Sequence, residues 1–336
     1  MKPFRDMDAK DLNTEHLQRE IHAQGYVLIR QLLPVEDIDH LLHAIARILA
    51  ASGWLSPGTH STDRVANPDA ACGESDPAFK PVYEQIFNLE AFHGLAHHAR
   101  LSEVMRMLVG PRLLVHRKPV GRVIFPNYDR FVIDAHQDYR AIGGDANCYT
   151  AWMPLHDCPA ELGPLQILEA SHRFGLQDAD PATGTIARGN TRGEEWVSGR
   201  INAGDVLIFH GLTIHSASPN TSGQIRVSLD CRFQDYALPL NPASLVFPGS
   251  NDRSWETTYA NWRSDDLKYF WEKLPLTLKP SRQELIEPIR TDESPRMRTR
   301  YSRILNQLEL QMQPKNHRHN GHFDQPASVV NGPAST

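Results

Sequence analysis

The sequence predicts a mainly β protein, a barrel or sandwich core with helices flanking it on the N-terminal side. Two observations predict it. Up to Val109 the apolar residues recur at helical spacing; from Leu113 onward they fall in short runs broken by Gly, Pro and Asn. Many short runs at regular spacing are the pattern of a layered or closed sheet. Length agrees, because 336 residues exceed an average domain but not a large β-barrel enzyme.

Taken in order, residues 14–24 read as a helix stopped by Gly25, which suits the left-handed C′ position. Residues 26–30, Tyr-Val-Leu-Ile-Arg, have the aromatic and branched content of a strand. Pro34 then opens a helix with Ile38, Leu41, Leu42, Ile45, Ile48 and Leu49 on one face, and Gly53 ends it. Residues 56–81 are rich in Pro, Gly, Ser and Asp and read as a long loop. Residues 101–109 form another short helix closed by a glycine. Strands are expected at 113–117, 122–125, 132–136, 148–153, 165–168, 206–210 and 225–233, with a late helix at 263–273. From Gln313 the chain is polar, bears histidines and lacks apolar periodicity, so 313–336 read as a disordered tail.

Composition excludes several classes of function. A net charge of −5 leaves no basic footprint for nucleic acid. No apolar run reaches the roughly 18–20 residues of a membrane span; the longest stretch, 38–55, is broken by Asp39, His40, His43 and Arg47. The first residues lack the apolar core of a secretory signal. The four cysteines, Cys72, Cys148, Cys158 and Cys231, form neither a Cys-x-x-Cys pair nor a disulfide framework. A cytoplasmic enzyme acting on a small molecule is the expectation, and oligomeric state is left open.

The chemistry concentrates in His136-Gln-Asp138, in Gly211-Leu-Thr-Ile-His215 and in Ile225-Arg226-Val-Ser228. Residues two apart on a strand share a face, so His136 and Asp138 can grip one ion while Gln137 turns away. Two histidines and a carboxylate occupy one face of an octahedron and leave positions open, as iron(II) oxygenases require. Arg226 lies eleven residues past His215 and shares a face with Ser228, among the apolar Ile225, Val227 and Leu229. An inward arginine there needs a buried anion, and its planar fork suits a carboxylate. The bland alternatives are an internal salt bridge for Arg226 and, for the second histidine ligand, His210.

These segments resemble the phytanoyl-CoA dioxygenase family of iron(II)/2-oxoglutarate oxygenases. The likeness runs from Gly25 to about Phe233, through His136-Gln-Asp138, Ala151-Trp152-Met-Pro-Leu-His, Gly163-Pro-Leu-Gln-Ile-Leu, Ala170-Ser-His-Arg173, Gly204-Asp-Val-Leu-Ile-Phe-His-Gly-Leu-Thr-Ile-His215 and Asn220-Thr-Ser-Gly-Gln-Ile-Arg226. It implies a double-stranded β-helix, the jelly-roll or cupin-like fold, at about 113–236, with a helical N-terminal support, in one catalytic domain spanning 1–312. It also implies Fe(II), 2-oxoglutarate and O2 as the reacting set. By carry-over, His136, Asp138 and His215 bind iron, Arg226 takes the far carboxylate of 2-oxoglutarate, and Trp152 lines its pocket. Where some relatives place serine two residues after the distal histidine, this chain has Ala217, so Ser218 or Ser228 stands in.

The expected function is hydroxylation, or desaturation or cyclisation, of an unactivated C–H bond in a small secondary metabolite, releasing succinate and CO2. Asp138 favours oxygenation over halogenation, because related halogenases replace the carboxylate by a small residue. Tyr139 and Arg140 follow the ligand strand and are candidates to reach the substrate. The aromatic group Trp255, Tyr259, Trp262, Tyr269, Phe270 and Trp271 either lines a pocket or packs the late helix onto the barrel. Two rival classes remain: a cupin-like divalent-metal hydrolase or isomerase, and a non-catalytic ligand-binding barrel.

Overall fold

A computed structural model describes residues 1–128, 134–180, 183–245 and 254–312. Two sheets, antiparallel but for one edge pair, face each other. The larger has the order β1 (Asp6–Asp8), β2 (Tyr26–Arg30), β9 (Val206–His210), β6 (Cys148–Pro154), β11 (Arg226–Asp235) and β3 (Leu113–Val115), with β4 (Val120–Ile124) also pairing with β11. The smaller runs β5 (His136–Gln137), β10 (Ile214–Ala217), β7 (Leu165–Leu168) and β8 (Trp196–Ser198). Within the larger sheet β1 pairs with β2 in parallel; every other registered pair in the two sheets is antiparallel. This is the jelly-roll arrangement, carrying more helix than expected.

The pleat sorts side chains between two cores. On β11, Val227, Leu229, Cys231 and Phe233 face outward, into a large apolar cluster shared with the helices. Ala151 and Met153 of β6, and Val206 and Ile208 of β9, join them there. Their alternates Trp152, Leu207 and Phe209 meet Leu165, Ile167 and Ala217 of the smaller sheet inside the barrel. Alternation at period two is a local property of a strand, so each strand supplies both cores.

The helical support comprises α1 (Thr14–Gln24), α2 (Val35–Ala51), α3 (Phe79–Phe87), α4 (Glu90–Gly94) and α5 (Ala99–Val109). Asn13 caps α1 by accepting from the His16 amide, and Gly25 ends it at φ 81. That left-handed position also lies close to other side chains: a Cβ on Gly25 would come within 2.5 Å of His172. Helix α2 buries Ile38, Leu41, Leu42, Ile45 and Leu49 against the sheet. Burial of each such side chain contributes roughly 1.5–3 kcal/mol.

The expected loop at 56–81 holds single turns of 3₁₀ helix at Ser61–Asp63 and Pro68–Ala70, and α3 starts inside it at Phe79. The expected strand at 132–136 lies largely outside the described residues; its described end is β5. Three strands were not expected, β1, β8 and β10, all of four residues or fewer, too short for period two to register. The late helix at 263–273 does not form. Glu90 takes the amides of Arg263 and Ser264, and Tyr269 turns to φ 54, so that only Phe270–Lys273 closes a 3₁₀ turn. Short α6 (Tyr139–Ile142) and α7 (Trp255–Tyr259) and the longer α8 (Arg282–Thr291) and α9 (Pro295–Met312) complete the described elements. The expected tail at 313–336 lies outside the described residues. Among the described residues, no helix is long and apolar enough to cross a membrane.

Candidate active site

Strands β5 and β10 pair at one end of the barrel in a register that sets His215 opposite His136. Their ring centroids are 4.2 Å apart. Asp138 follows β5 as the helical N-cap of α6 rather than as a strand residue. Gln137 turns away, as expected, and its amide donates to the carbonyls of Gly175 and Leu212.

Each donor is held by a second partner. His136 Nδ1 lies 2.7 Å from the Asp134 carbonyl and His215 Nδ1 lies 3.1 Å from that of Thr213. A carbonyl only accepts, so both rings carry their proton on Nδ1 and turn the Nε2 lone pair toward Asp138. Asp138 Oδ1 is 3.7 Å from one Nε2 and 3.8 Å from the other. Its Oδ2 accepts from Thr150 Oγ1 at 2.6 Å and faces Arg232 Nη2 at 3.4 Å. Ligand atoms of the three residues lie within 4.8 Å of one another.

The electrostatics suit a cation. Burial opposes ionisation of Asp138, but Arg232 and the two imidazoles outweigh it and hold the carboxyl well below the usual range. Burial, with His136 adding to it, pushes His215 down to about 3, so its imidazole is neutral near pH 7. Two imidazoles and one ionised carboxylate are the donor set of non-haem iron(II). Among the described residues this is the one cluster of three such groups.

Further into the barrel, Arg226, Ser228 and Trp152 project from the two central strands β11 and β6. Arg226 is 1% exposed. It donates through Nη1 to the Gly163 carbonyl, and no carboxylate among the described residues lies at ion-pair distance from it. The internal salt bridge weighed for it is therefore not formed. Arg226 Nε, Ser228 Oγ and Trp152 Nε1 are all buried without a hydrogen-bond partner among the described residues. Buried polar groups are ordinarily paired, and three donors left over inside one barrel fit a bound polyanion such as 2-oxoglutarate. Ser218, the other hydroxyl candidate, already accepts from Gln166 at 2.7 Å.

The remaining candidates separate by position. His210 lies on the outer side of β9, where its Nδ1 accepts from the Leu212 amide and its ring meets Tyr149. Two further histidines near these strands have partners of their own: His156 accepts from the Val227 amide through Nε2, and His172 contacts the His22 carbonyl. The Tyr139 hydroxyl donates to the Gly144 carbonyl and Arg140 to that of Gln177. A cavity of about 450 Å³ opens on His136 and Asp138; Ala141 and Ile142 of α6 line it, whereas Tyr139 and Arg140 do not. The turn of α6 carries its first two residues away from that wall. The late aromatic residues lie outside this cavity too: Trp255 and Trp271 clamp the Arg117 guanidinium, at 3.2 and 3.5 Å from their ring centroids.

Thr150 and Arg232 escaped sequence reasoning, although a signal existed. The alternation that singles out Arg226 and Ser228 continues through Asp230, Arg232 and Gln234, all buried on the inward face. Thr150 stands opposite Arg232 in the ladder.

Comparison with known proteins agrees with this geometry. The phytanoyl-CoA dioxygenase (PhyH) family model matches residues 21–228. The 1-deoxypentalenic acid 11-beta-hydroxylase of Streptomyces arenae is 26% identical over 237 residues, 66% of this chain and 81% of that protein. Its Streptomyces exfoliatus counterpart is 24% identical over 238 residues, with the same coverage. Among solved structures, the epimerase SnoN, in complex with Fe3+, alpha-ketoglutarate and nogalamycin RO, superposes with a TM-score of 0.54 at 21% identity. That match covers 72% of this chain and 92% of SnoN. The carbocyclase SnoK of nogalamycin biosynthesis gives 0.50 at 22% identity, covering 73% and 95%. These two likenesses show the fold. With the family model matching more than half of its length, the chain belongs to the phytanoyl-CoA dioxygenase family and is an iron- and 2-oxoglutarate-dependent oxidoreductase.

Proposed function

We propose that this chain hydroxylates an unactivated C–H bond of a small secondary metabolite. The observation that carries the reading is the divided use of Asp138. One oxygen is tied to Thr150 and Arg232 while the other faces both histidine Nε2 atoms, beside a cavity of substrate size. Cavities of roughly 300–1,000 Å³ are usual for small-molecule sites. The curated relatives named as hydroxylases of 1-deoxypentalenic acid support both the reaction and the substrate class. Desaturation and cyclisation remain outcomes of the same test.

In this reading His136, Asp138 and His215 hold iron(II). Arg226 takes the distal carboxylate of 2-oxoglutarate, with the Ser228 hydroxyl and the Trp152 indole N–H beside it. When bound, iron and the 2-oxo acid supply the oxidising chemistry, coupling O2 consumption to release of succinate and CO2. The chain's own part is orientation and exclusion. Thr150 and Arg232 stop Asp138 from rotating, which keeps a single carboxylate oxygen toward the metal. The apolar interior around Phe209, Ile167 and Leu207 keeps water from the cosubstrate. Asp138 fills the position that a halide would need, so chlorination is not expected.

The test is oxygen-dependent succinate formation by the iron(II)-loaded protein across a library of natural-product substrates. The product should gain one oxygen, with or without chloride present. Loss of two hydrogens would indicate desaturation or ring closure instead. The His136→Ala, Asp138→Ala and His215→Ala variants should lose iron binding and turnover while keeping the fold. Full activity in His215→Ala would refute the metal assignment, as a chlorinated product would refute the role of Asp138.

A further inference from the structure

The cavity beside His136 and Asp138 has an unusual charge balance. Four cationic side chains line it: Lys118, Arg122, Arg232 and Arg300. Two are neutralised within the protein. Arg122 meets Glu74 at 2.5 Å and Asp230 at 3.2 Å, and Arg232 meets Asp138 at 3.4 Å and Asp230 at 3.7 Å. The other two are not. Lys118 Nζ donates to the Ala243 carbonyl, and neither it nor Arg300 has a carboxylate at ion-pair distance among the described residues.

Lys118 is half-buried at the end of β4's approach, and Arg300 reaches the same cavity from α9. The rest of the wall is largely apolar, made by Tyr83, Phe87, Pro119, Val120 and Ile142. Burial, then the guanidiniums of Arg117, Arg303, Arg300 and Arg232, push the Lys118 ammonium down to about 7. Like charges are crowded here, and the carboxylates nearby, Asp138, Asp230 and Glu74, are at ion-pair distance from Arg122 and Arg232 rather than from Lys118 or Arg300. The half-buried Lys118 ammonium costs stability in the free protein unless an anion offsets it, whereas Arg300 is exposed and reaches the cavity from its solvent side.

We propose that the substrate is an anion: an apolar molecule whose single carboxylate or phosphate group is held between Lys118 and Arg300. Its apolar part lies against Tyr83, Phe87, Val120 and Ile142, which places it beside the His136–Asp138 edge. This rests on the reading of His136, Asp138 and His215 as the metal centre only for where the reacting carbon sits. The anion site itself stands on Lys118 and Arg300.

The experiment compares two fluorescent probes with the same apolar body, one charged and one neutral: 8-anilinonaphthalene-1-sulfonate and N-phenyl-1-naphthylamine. Both are titrated into the full chain with saturating 2-oxoglutarate, so that the barrel interior cannot take the sulfonate. The sulfonate should bind more tightly, and Lys118→Met and Arg300→Gln should each weaken it about tenfold, as for a partly desolvated charge pair. Lys118→Arg should keep most of the affinity. The neutral probe should bind parent and variants alike, which also reports that the variants are folded. Displacement of the sulfonate by decanoate but not decyl phosphate would assign a carboxylate, and the reverse a phosphate. Equal binding of both probes, binding of neither, or sulfonate affinity unchanged in both variants would overturn the proposal. A parallel anaerobic titration of iron(II) and 2-oxoglutarate, read by charge-transfer absorbance, separates the two readings. Loss of that band in the parent would sink the metal centre and leave the anion result standing.

Discussion

Arg226→Ala tests the cosubstrate site most sharply. Arg226 is fully enclosed on β11, with Nη1 spent on the Gly163 carbonyl and Nε left without a partner among the described residues. Burial lowers the stability of its charged form, and the more distant Cys158 and Asp230 offset that only in part. A dicarboxylate reaching it would form a desolvated ion pair, and removing one member of such a pair costs roughly 3–5 kcal/mol. That is about two to three and a half decades of affinity. Titration of 2-oxoglutarate into the anaerobic iron(II) protein, read by charge-transfer absorbance, should show a loss of that size with iron affinity near normal. Arg226→Lys should recover only part, because an ammonium cannot reproduce the two-pronged contact. Unchanged cosubstrate affinity in Arg226→Ala would refute the reasoning. The anchor would then have to be another cation, Lys118 or Arg122, and Arg122 is already paired with Glu74 and Asp230.

Three other outcomes follow from the same geometry. Thr150→Val removes the hydroxyl that holds Asp138 Oδ2 at 2.6 Å; iron(II) affinity, measured against a competing chelator, should fall about 10–100-fold, and no change would show that Arg232 alone orients the carboxylate. Gly163 adopts φ +74, and a Cβ there would come within 2.4 Å of the Ser218 carbonyl. Gly163→Ala should therefore displace the carbonyl that holds Arg226 and weaken 2-oxoglutarate binding, with a lowered denaturation midpoint; retention of both would refute the link. Burial pushes His93 and His116 down to about 4 from the ordinary 6.5. Below pH 6.5 the unfolded chain takes up protons that the folded chain refuses, so stability should fall as pH drops from about 6.5 to about 4. The loss is on the order of 3 kcal/mol per histidine. Denaturant midpoints across that range should flatten in His93→Gln and His116→Gln, and a flat parent profile would contradict the burial argument.

Much of the site was legible in the order of residues because its parts obey strand periodicity. His136 with Gln137 turned away, and Arg226 with Ser228 among outward apolar residues, follow from a pleat that repeats every two residues. That His215 rather than His210 faces Asp138 was legible for the same reason: Phe209 faces the barrel, so its neighbour His210 does not. Elsewhere local signals misled. Residues 263–273 read as a helix, but aromatic packing and Glu90 took them into turns.

By itself the sequence determined the metal-binding chemistry, the facing of each long strand and the helical support, since each depends on neighbours a few residues away. Only the tertiary structure decided which partners meet across the barrel. It placed Thr150 and Arg232 on one oxygen of Asp138 and set Ser228, rather than Ser218, free beside Arg226. It also carried Arg300 of α9 to the cavity that Lys118 lines. The physical reason is that register and sheet order arise from pairing between distant segments. Two residues far apart in the chain leave no periodic trace of that pairing until the core has closed around them.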